Sequence, residues 1–77
     1  MSINLVFDVK GGGIIDFPFQ TTTELTYAVL KETNKEKQLK LIRKELELNK
    51  YTKKEINATL RKIEALMKSP DLKLDMV

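Results

Sequence analysis

Two amphipathic segments between residues 33 and 68, separated by residues 49–52, constrain the fold more than any other feature of the chain. In the second segment apolar side chains recur at the spacing of one helix face: Ile56, Leu60, Ile63 and Met67. The first segment carries a wider apolar surface that includes Leu39, Ile42 and Leu46. The sequence therefore predicts helices over residues 35–48 and 53–68 that together form a helical hairpin.

Polar residues at the ends of these segments have the pattern of helix caps. Thr52 and Glu55 have the spacing of a capping box, in which each side chain bonds the backbone N–H of the other residue. Thr33 and Glu36 repeat that spacing before the first segment. Asn49 is expected to adopt the left-handed conformation that ends the first helix of the pair.

The N-terminal part of the chain has the pattern of a β-hairpin. Residues 3–9 carry apolar side chains at every second position, which is the period of a half-buried strand. Three glycines at positions 11–13 supply a turn, and residues 14–19 follow as a second strand. Pro18 cannot donate a ladder hydrogen bond, so it must lie at a strand end or an open edge. We expect the hairpin to occupy residues 3–19.

Two further segments complete the predicted fold. Thr21 and Glu24 have the capping-box spacing and predict a short helix over residues 22–32. In the tail, residues 70–77, apolar and charged side chains alternate, which is equally consistent with a third strand and with a frayed terminus. With 77 residues we expect one α+β domain, in which an N-terminal β-hairpin precedes three helices and the last two form the helical hairpin.

Composition argues against several classes of protein. The chain has no Cys and no His, which removes disulfides, thiolate metal sites and the commonest general base. The carboxylates stand mostly at caps and on charged helix faces, so we expect no catalysis, no cofactor and no metal. No apolar run approaches the ~18 residues of a membrane span, and the N-terminus lacks the pattern of a signal peptide. A cytoplasmic location is the expectation.

The small size of the chain favours association with a partner. A core of this size gives little stability, and without disulfides or metals oligomerisation is the remaining support. We therefore expect a protein–protein interaction or assembly module that forms a homo-oligomer or binds another protein. A bacterial or phage accessory protein would have such properties. The candidate interface residues are apolar side chains of the hairpin and of the helical pair: Phe17, Phe19, Leu41, Leu48 and Tyr51.

A DNA-binding regulator is the alternative. Residues 34–68 hold nine Lys and two Arg against five Glu, and two helices around a short corner have the layout of a helix-turn-helix. The residues expected to contact nucleic acid share one stripe of the last helix: Lys54, Asn57, Arg61 and Lys68. Because Lys greatly outnumbers Arg and Glu is interspersed, the pattern favours a solvated basic face over specific base readout.

Overall fold

Six elements succeed one another in this computed structural model, which describes residues 3–77. They are β1 (Leu5–Val9), β2 (Ile14–Asp16), α1 (Thr23–Lys31), α2 (Lys35–Leu48), α3 (Lys53–Met67) and β3 (Leu72–Met76). The strands form one antiparallel sheet in the order β2-β1-β3. The predicted α+β class, the hairpin and the three helices are confirmed, and the tail forms the third strand.

β1 lies at the centre of the sheet because it pairs on both sides. Phe7 is opposite Ile15 of β2 and opposite Leu74 of β3. Leu5 and Phe7 point towards the helices and are each 1% exposed. Val6 points to the other face of the sheet, since side chains alternate along a strand, and it is only 4% exposed. Both faces of the central strand are thus shielded from solvent at residues 5–7.

The hydrophobic core lies between one face of the sheet and the helices. Its buried members come from β1 and all three helices: Leu5, Phe7, Leu25, Val29, Ile42, Leu46, Ile56, Leu60, Ile63 and Met67. The apolar stripe predicted for α3 is buried along its whole length. None of the helices in residues 3–77 has the length and apolar character needed to cross a membrane.

The helix caps agree with the sequence in one case and differ in two. Thr52 and Glu55 form the predicted capping box of α3. The cap of α1 is Thr22, whose hydroxyl accepts the N–H of Leu25 at 3.1 Å, and the Thr21 predicted for this role is buried against the sheet.

The cap of α2 is Asn34, not the predicted Thr33. Its Oδ1 accepts the N–H groups of Glu36 at 2.8 Å and Lys37 at 3.3 Å. Asn is at least as good as Thr in this position, because its side-chain oxygen reaches the same free amides.

The corner between α2 and α3 corrects the prediction for Asn49. Asn49 has a φ of −88°, and it is Lys50 that adopts the left-handed conformation, with a φ of 62°. The N–H of Lys50 bonds the carbonyl of Glu47 at 3.1 Å, and the N–H of Tyr51 bonds that of Leu46 at 3.2 Å. This pair of bonds is a Schellman motif, which requires the positive φ one residue beyond the cap.

Candidate interaction surfaces

Four aromatic rings connect the sheet to the corner between α2 and α3. Phe7 stacks on Phe17 with ring centroids 5.2 Å apart, and Phe17 meets Phe19 edge-on at 5.4 Å. Phe19 contacts Tyr51 at 6.4 Å. The structure thus brings three of the five predicted interface residues together, but Phe17 and Phe19 are half-buried against the core.

The remaining interface candidates divide between core and surface. Leu41 is half-buried and packs on the core cluster. Leu48 is 70% exposed at the C-terminal end of α2, and Tyr51, three residues later, is 38% exposed. We call Leu48, Tyr51 and the edge of Phe19 the corner surface. A groove of about 500 Å³ adjoins it, between Tyr51 and the segment that precedes α1.

The residues predicted to contact nucleic acid lie along α3 on its solvent side. All four are exposed: Lys54, Asn57, Arg61 and Lys68. They span about 21 Å at the rise of an α-helix. Two exposed small residues, Ala58 and Ala65, lie beside them. We call these four residues the basic stripe; together with its alanines it forms an exposed and mostly cationic helix face, interrupted by Glu64.

The outer face of the sheet, away from the helices, is acidic. Val6 is flanked there by Asp16 of β2 and Asp75 of β3. Asp8, two residues along β1, lies between Ile14 and Lys73. Within residues 3–77, no three acidic groups are arranged so that they could hold a metal ion. The molecule therefore carries negative charge on its sheet face and positive charge on its helices.

Among residues 3–77, β3 is an edge strand that pairs with β1 on one side only. Asn4 and Val77 exchange two backbone hydrogen bonds of 3.0 Å, and the N–H of Lys10 bonds the carbonyl of Asp71 at 2.8 Å. Hydrogen-bonded pairs alternate in an antiparallel ladder, so the odd-numbered residues of β3 direct their backbone groups to β1. The even-numbered residues direct theirs away from the sheet: Leu72, Leu74 and Met76.

Two of these outward amides are held by neighbouring groups in the chain. The N–H of Met76 donates to Oδ1 of Asp75 at 2.8 Å, and the N–H of Leu72 donates to the carbonyl of Ser69 at 3.3 Å. The N–H and carbonyl of Leu74 point outward at the middle of the strand. The edge therefore has its freest backbone groups at its centre.

A groove of about 240 Å³ lies between β3 and three helix ends, namely the end of α1, the start of α2 and the end of α3. Its apolar lining is continuous with the core: Phe7, Leu30, Met67, Leu72 and Leu74. Lys35 closes one end, where its Nζ donates to the carbonyl of Met67 at 2.8 Å, and Gln38 lines the same side. The helix-facing side of the β3 edge is thus apolar, whereas its outer side is charged.

Comparison of the chain with models of protein families, with characterised proteins and with solved structures found no match. The candidate surface that the sequence did not single out is the β3 edge. Its signal was present in the tail, where Lys73 alternates with Asp71 and Asp75 between apolar residues.

Proposed function

We propose that this chain is a non-catalytic assembly module that binds another protein chain, in the first instance a copy of itself. Proteins this short, Cys-free and Lys-rich are common among the accessory proteins of bacteria and phages, and the lack of Cys favours the cytoplasm. The open edge of β3 carries the proposal, because unpaired strand edges readily add a strand from another chain. The apolar groove beside that edge would receive side chains from the added strand.

The placement of the carboxylates supports a non-catalytic role. The eleven Asp and Glu residues are all exposed or half-buried. Catalytic acids and bases are usually tuned by burial or by a close charge, and these side chains lie on solvated faces instead. With neither His nor Cys in the sequence, binding accounts for the surface better than chemistry does.

The test is the molar mass in solution, measured by sedimentation velocity up to about 1 mM protein. The wild type should shift from monomer to a larger species as its concentration rises. Met76→Pro should weaken that shift, because Pro removes an outward N–H from the edge. Met76→Ala is the matched control, since it removes the same side chain but keeps the N–H, and it should weaken assembly less than Met76→Pro does.

These measurements distinguish association through the β3 edge from association through the corner surface. A wild type that stays monomeric at the highest concentration contradicts self-assembly. If Met76→Pro assembles normally and Leu48→Glu does not, the corner surface carries the association instead of the β3 edge. Circular dichroism of each variant establishes that the fold is retained.

DNA binding is the second candidate, and the exposed basic stripe of α3 favours it. Arg and Asn can bond base edges, and the small Ala58 and Ala65 allow close approach to a duplex. Binding should appear in fluorescence anisotropy at about 50 mM salt, fall steeply as salt rises, and weaken in Arg61→Ala and Asn57→Ala. Lys31→Ala, on the exposed side of α1, is the control. No binding of a mixed duplex at low salt would exclude this candidate.

A further inference from the structure

We infer that β3 is a self-complementary dimerisation strand, which pairs antiparallel with β3 of a second copy about a two-fold axis at Leu74. This inference rests on the proposed assembly function and names both its partner and its register. The resulting sheet would run continuously in the order β2-β1-β3-β3-β1-β2. A two-fold axis makes the contact isologous, so every favourable pair occurs twice.

The charges on the outer face of β3 select this register. An axis at Leu74, the middle residue of the strand, aligns residues 72–76 of one copy with the same residues of the other. Lys73 then lies directly opposite Asp75 of the second copy, and Asp75 lies opposite Lys73 of the second copy. Opposite charges in directly facing positions stabilise an antiparallel pair.

Neighbouring registers lose this complementarity. An axis at Lys73 would set Lys73 against its own copy and Asp71 against Asp75, which are like-charge pairs. An axis at Leu72 would set Pro70 opposite Leu74, and Pro has no N–H to donate. Only the axis at Leu74 uses the whole strand with unlike charges facing each other.

The backbone groups fit the same register. In an antiparallel ladder, residues that both point outward form hydrogen-bonded pairs when they face each other. Leu74 would exchange two bonds with Leu74 of the second copy. Leu72 would exchange two with Met76 of the second copy once its N–H leaves the carbonyl of Ser69, to which it donates at 3.3 Å in the single chain. In the single chain Asp75 holds the Met76 N–H at 2.8 Å. When Asp75 turns to Lys73 of the second copy, that N–H is released to the partner strand.

The helix-facing side of the strand completes the contact. Leu72 and Leu74 are half-buried, and Met76 is 42% exposed. In this register Leu74 meets Leu74 and Leu72 meets Met76 across the axis, so apolar side chains face apolar side chains. The groove of about 240 Å³ beside β3 lies where these side chains would gather.

Charge reversal tests the register. Lys73→Glu and Asp75→Lys each create two like-charge pairs in the dimer, and each should raise the dimer dissociation constant about tenfold. The double variant Lys73→Glu/Asp75→Lys restores two opposite-charge pairs and should recover wild-type affinity. Lys10→Glu, which changes the net charge equally outside β3, should leave the affinity unchanged.

Mixing the two single variants gives a sharper readout. A chain with Lys73→Glu presents two negative groups, and a chain with Asp75→Lys presents two positive ones. Native mass spectrometry of the mixture should therefore show the heterodimer in excess over both homodimers. A statistical mixture of dimers would overturn the register.

The results distinguish this inference from the broader proposal. If the wild type assembles and Met76→Pro abolishes assembly while the charge variants have no effect, β3 binds in another register and the inference is wrong. If the wild type is monomeric throughout, the self-assembly proposal and the inference fail together. Loss in both single variants with recovery in the double variant supports the stated pairing.

Discussion

The hydroxyl oxygen of Thr21 accepts the backbone N–H of Leu5 at 2.9 Å, at the point where β2 has already left the sheet. The register of the hairpin would place Phe17 opposite Leu5, but β2 ends at Asp16 and Pro18 follows. A side chain therefore replaces a strand as the acceptor for a buried amide. The bond connects the central strand directly to the segment that begins α1.

The first prediction concerns this bond. Thr26 donates its hydroxyl hydrogen to the carbonyl of Thr22 at 2.9 Å, so in the 3.1 Å contact between the two hydroxyls Thr21 is the donor. Thr21→Val leaves the Leu5 amide and the Thr26 oxygen without this partner, and should lower the free energy of unfolding by about 1–3 kcal/mol. Urea denaturation measures the change.

Two variants control this prediction. Thr21→Ser keeps the hydroxyl and should retain most of the stability. Thr23→Val, at an exposed position in the same run of threonines, should change the free energy of unfolding by less than ~0.5 kcal/mol. Equal losses in Thr21→Val and Thr23→Val would contradict the assigned role of the buried hydroxyl.

The second prediction concerns Gln38 of α2, which caps the end of α1. Its Nε2 donates to the carbonyl of Val29 at 2.9 Å and to that of Glu32 at 2.8 Å. Gln38→Leu keeps the bulk but removes both donors, and should lower the free energy of unfolding by about 1–3 kcal/mol.

Gln38→Glu should destabilise more near neutral pH than in acid, because an ionised carboxylate faces two carbonyl oxygens without a hydrogen to donate. The free energy of unfolding, measured by urea denaturation at both pH values, checks this. Gln20→Leu, at an exposed position before α1, is the control and should have little effect. A Gln38→Leu protein as stable as the wild type would show that water replaces the amide.

The third prediction concerns the left-handed Lys50. The left-handed conformation costs a residue with a Cβ about 1–2 kcal/mol, whereas Gly adopts it without strain. Gly also makes the unfolded chain more flexible, and this offsets part of the stabilisation. Lys50→Gly should therefore raise the free energy of unfolding by up to about 1 kcal/mol. Thermal and urea unfolding provide the measurement.

A matched variant shows whether the sign of the change in the free energy of unfolding depends on the conformation of Lys50. Lys40→Gly is the same substitution at an exposed position inside α2, and it should lower stability by about 1 kcal/mol. Lys50→Ala separates charge from conformation and should not be stabilising. If Lys50→Gly and Lys40→Gly shift stability in the same direction, the Schellman geometry is not what limits this corner.

The fourth prediction concerns pH. The backbone N–H of Thr52, followed by its side chain, lowers the pKa of the Glu55 carboxyl below the ordinary value of 4.5. A carboxyl whose pKa is lower in the folded state than in the unfolded state stabilises the fold at pH values above its unfolded-state pKa. This stabilisation is lost as the pH falls through the folded-state pKa. The stability difference between wild type and Glu55→Gln should therefore shrink as pH drops below 4.5.

NMR titration of the Glu55 carboxyl carbon measures the shift directly, and urea unfolding across the acid range measures its effect on stability. Glu64→Gln, on the exposed side of the same helix, is the control for the removal of one carboxylate from α3. A Glu55 midpoint at or above the ordinary value would mean that the capping box does not persist in solution.

Local spacing predicted much of this fold. The stripe from Ile56 to Met67 and the capping box of Thr52 and Glu55 depend on residues at most a few turns apart, so the sequence contains them in full. The same holds for the hairpin around the glycines at 11–13, one of which, Gly11, has a φ of 72°. The basic stripe of α3 was likewise predictable, because its residues share a helix.

Spacing did not predict which of two neighbouring polar residues takes a given capping position. Thr21 and Thr22 are chemically identical, and only the position of Leu5 in the folded sheet assigns one to the strand and the other to the helix. Similarly, Asn49 is a good left-handed residue, but the bonds of Lys50 and Tyr51 to α2 place the positive φ one position later.

The sequence alone determined the three helices and the N-terminal hairpin, because hydrophobic period and capping are local properties. The tertiary structure alone decided that the tail is a strand, since Leu5 pairs with Met76 across almost the whole chain. That pairing occupies one side of β3 and leaves the other open, with Lys73 and Asp75 beside free backbone groups. The candidate interface exists only because β1 and β3, which lie at opposite ends of the chain, pair with each other. A local sequence pattern carries no information about such a long-range pairing.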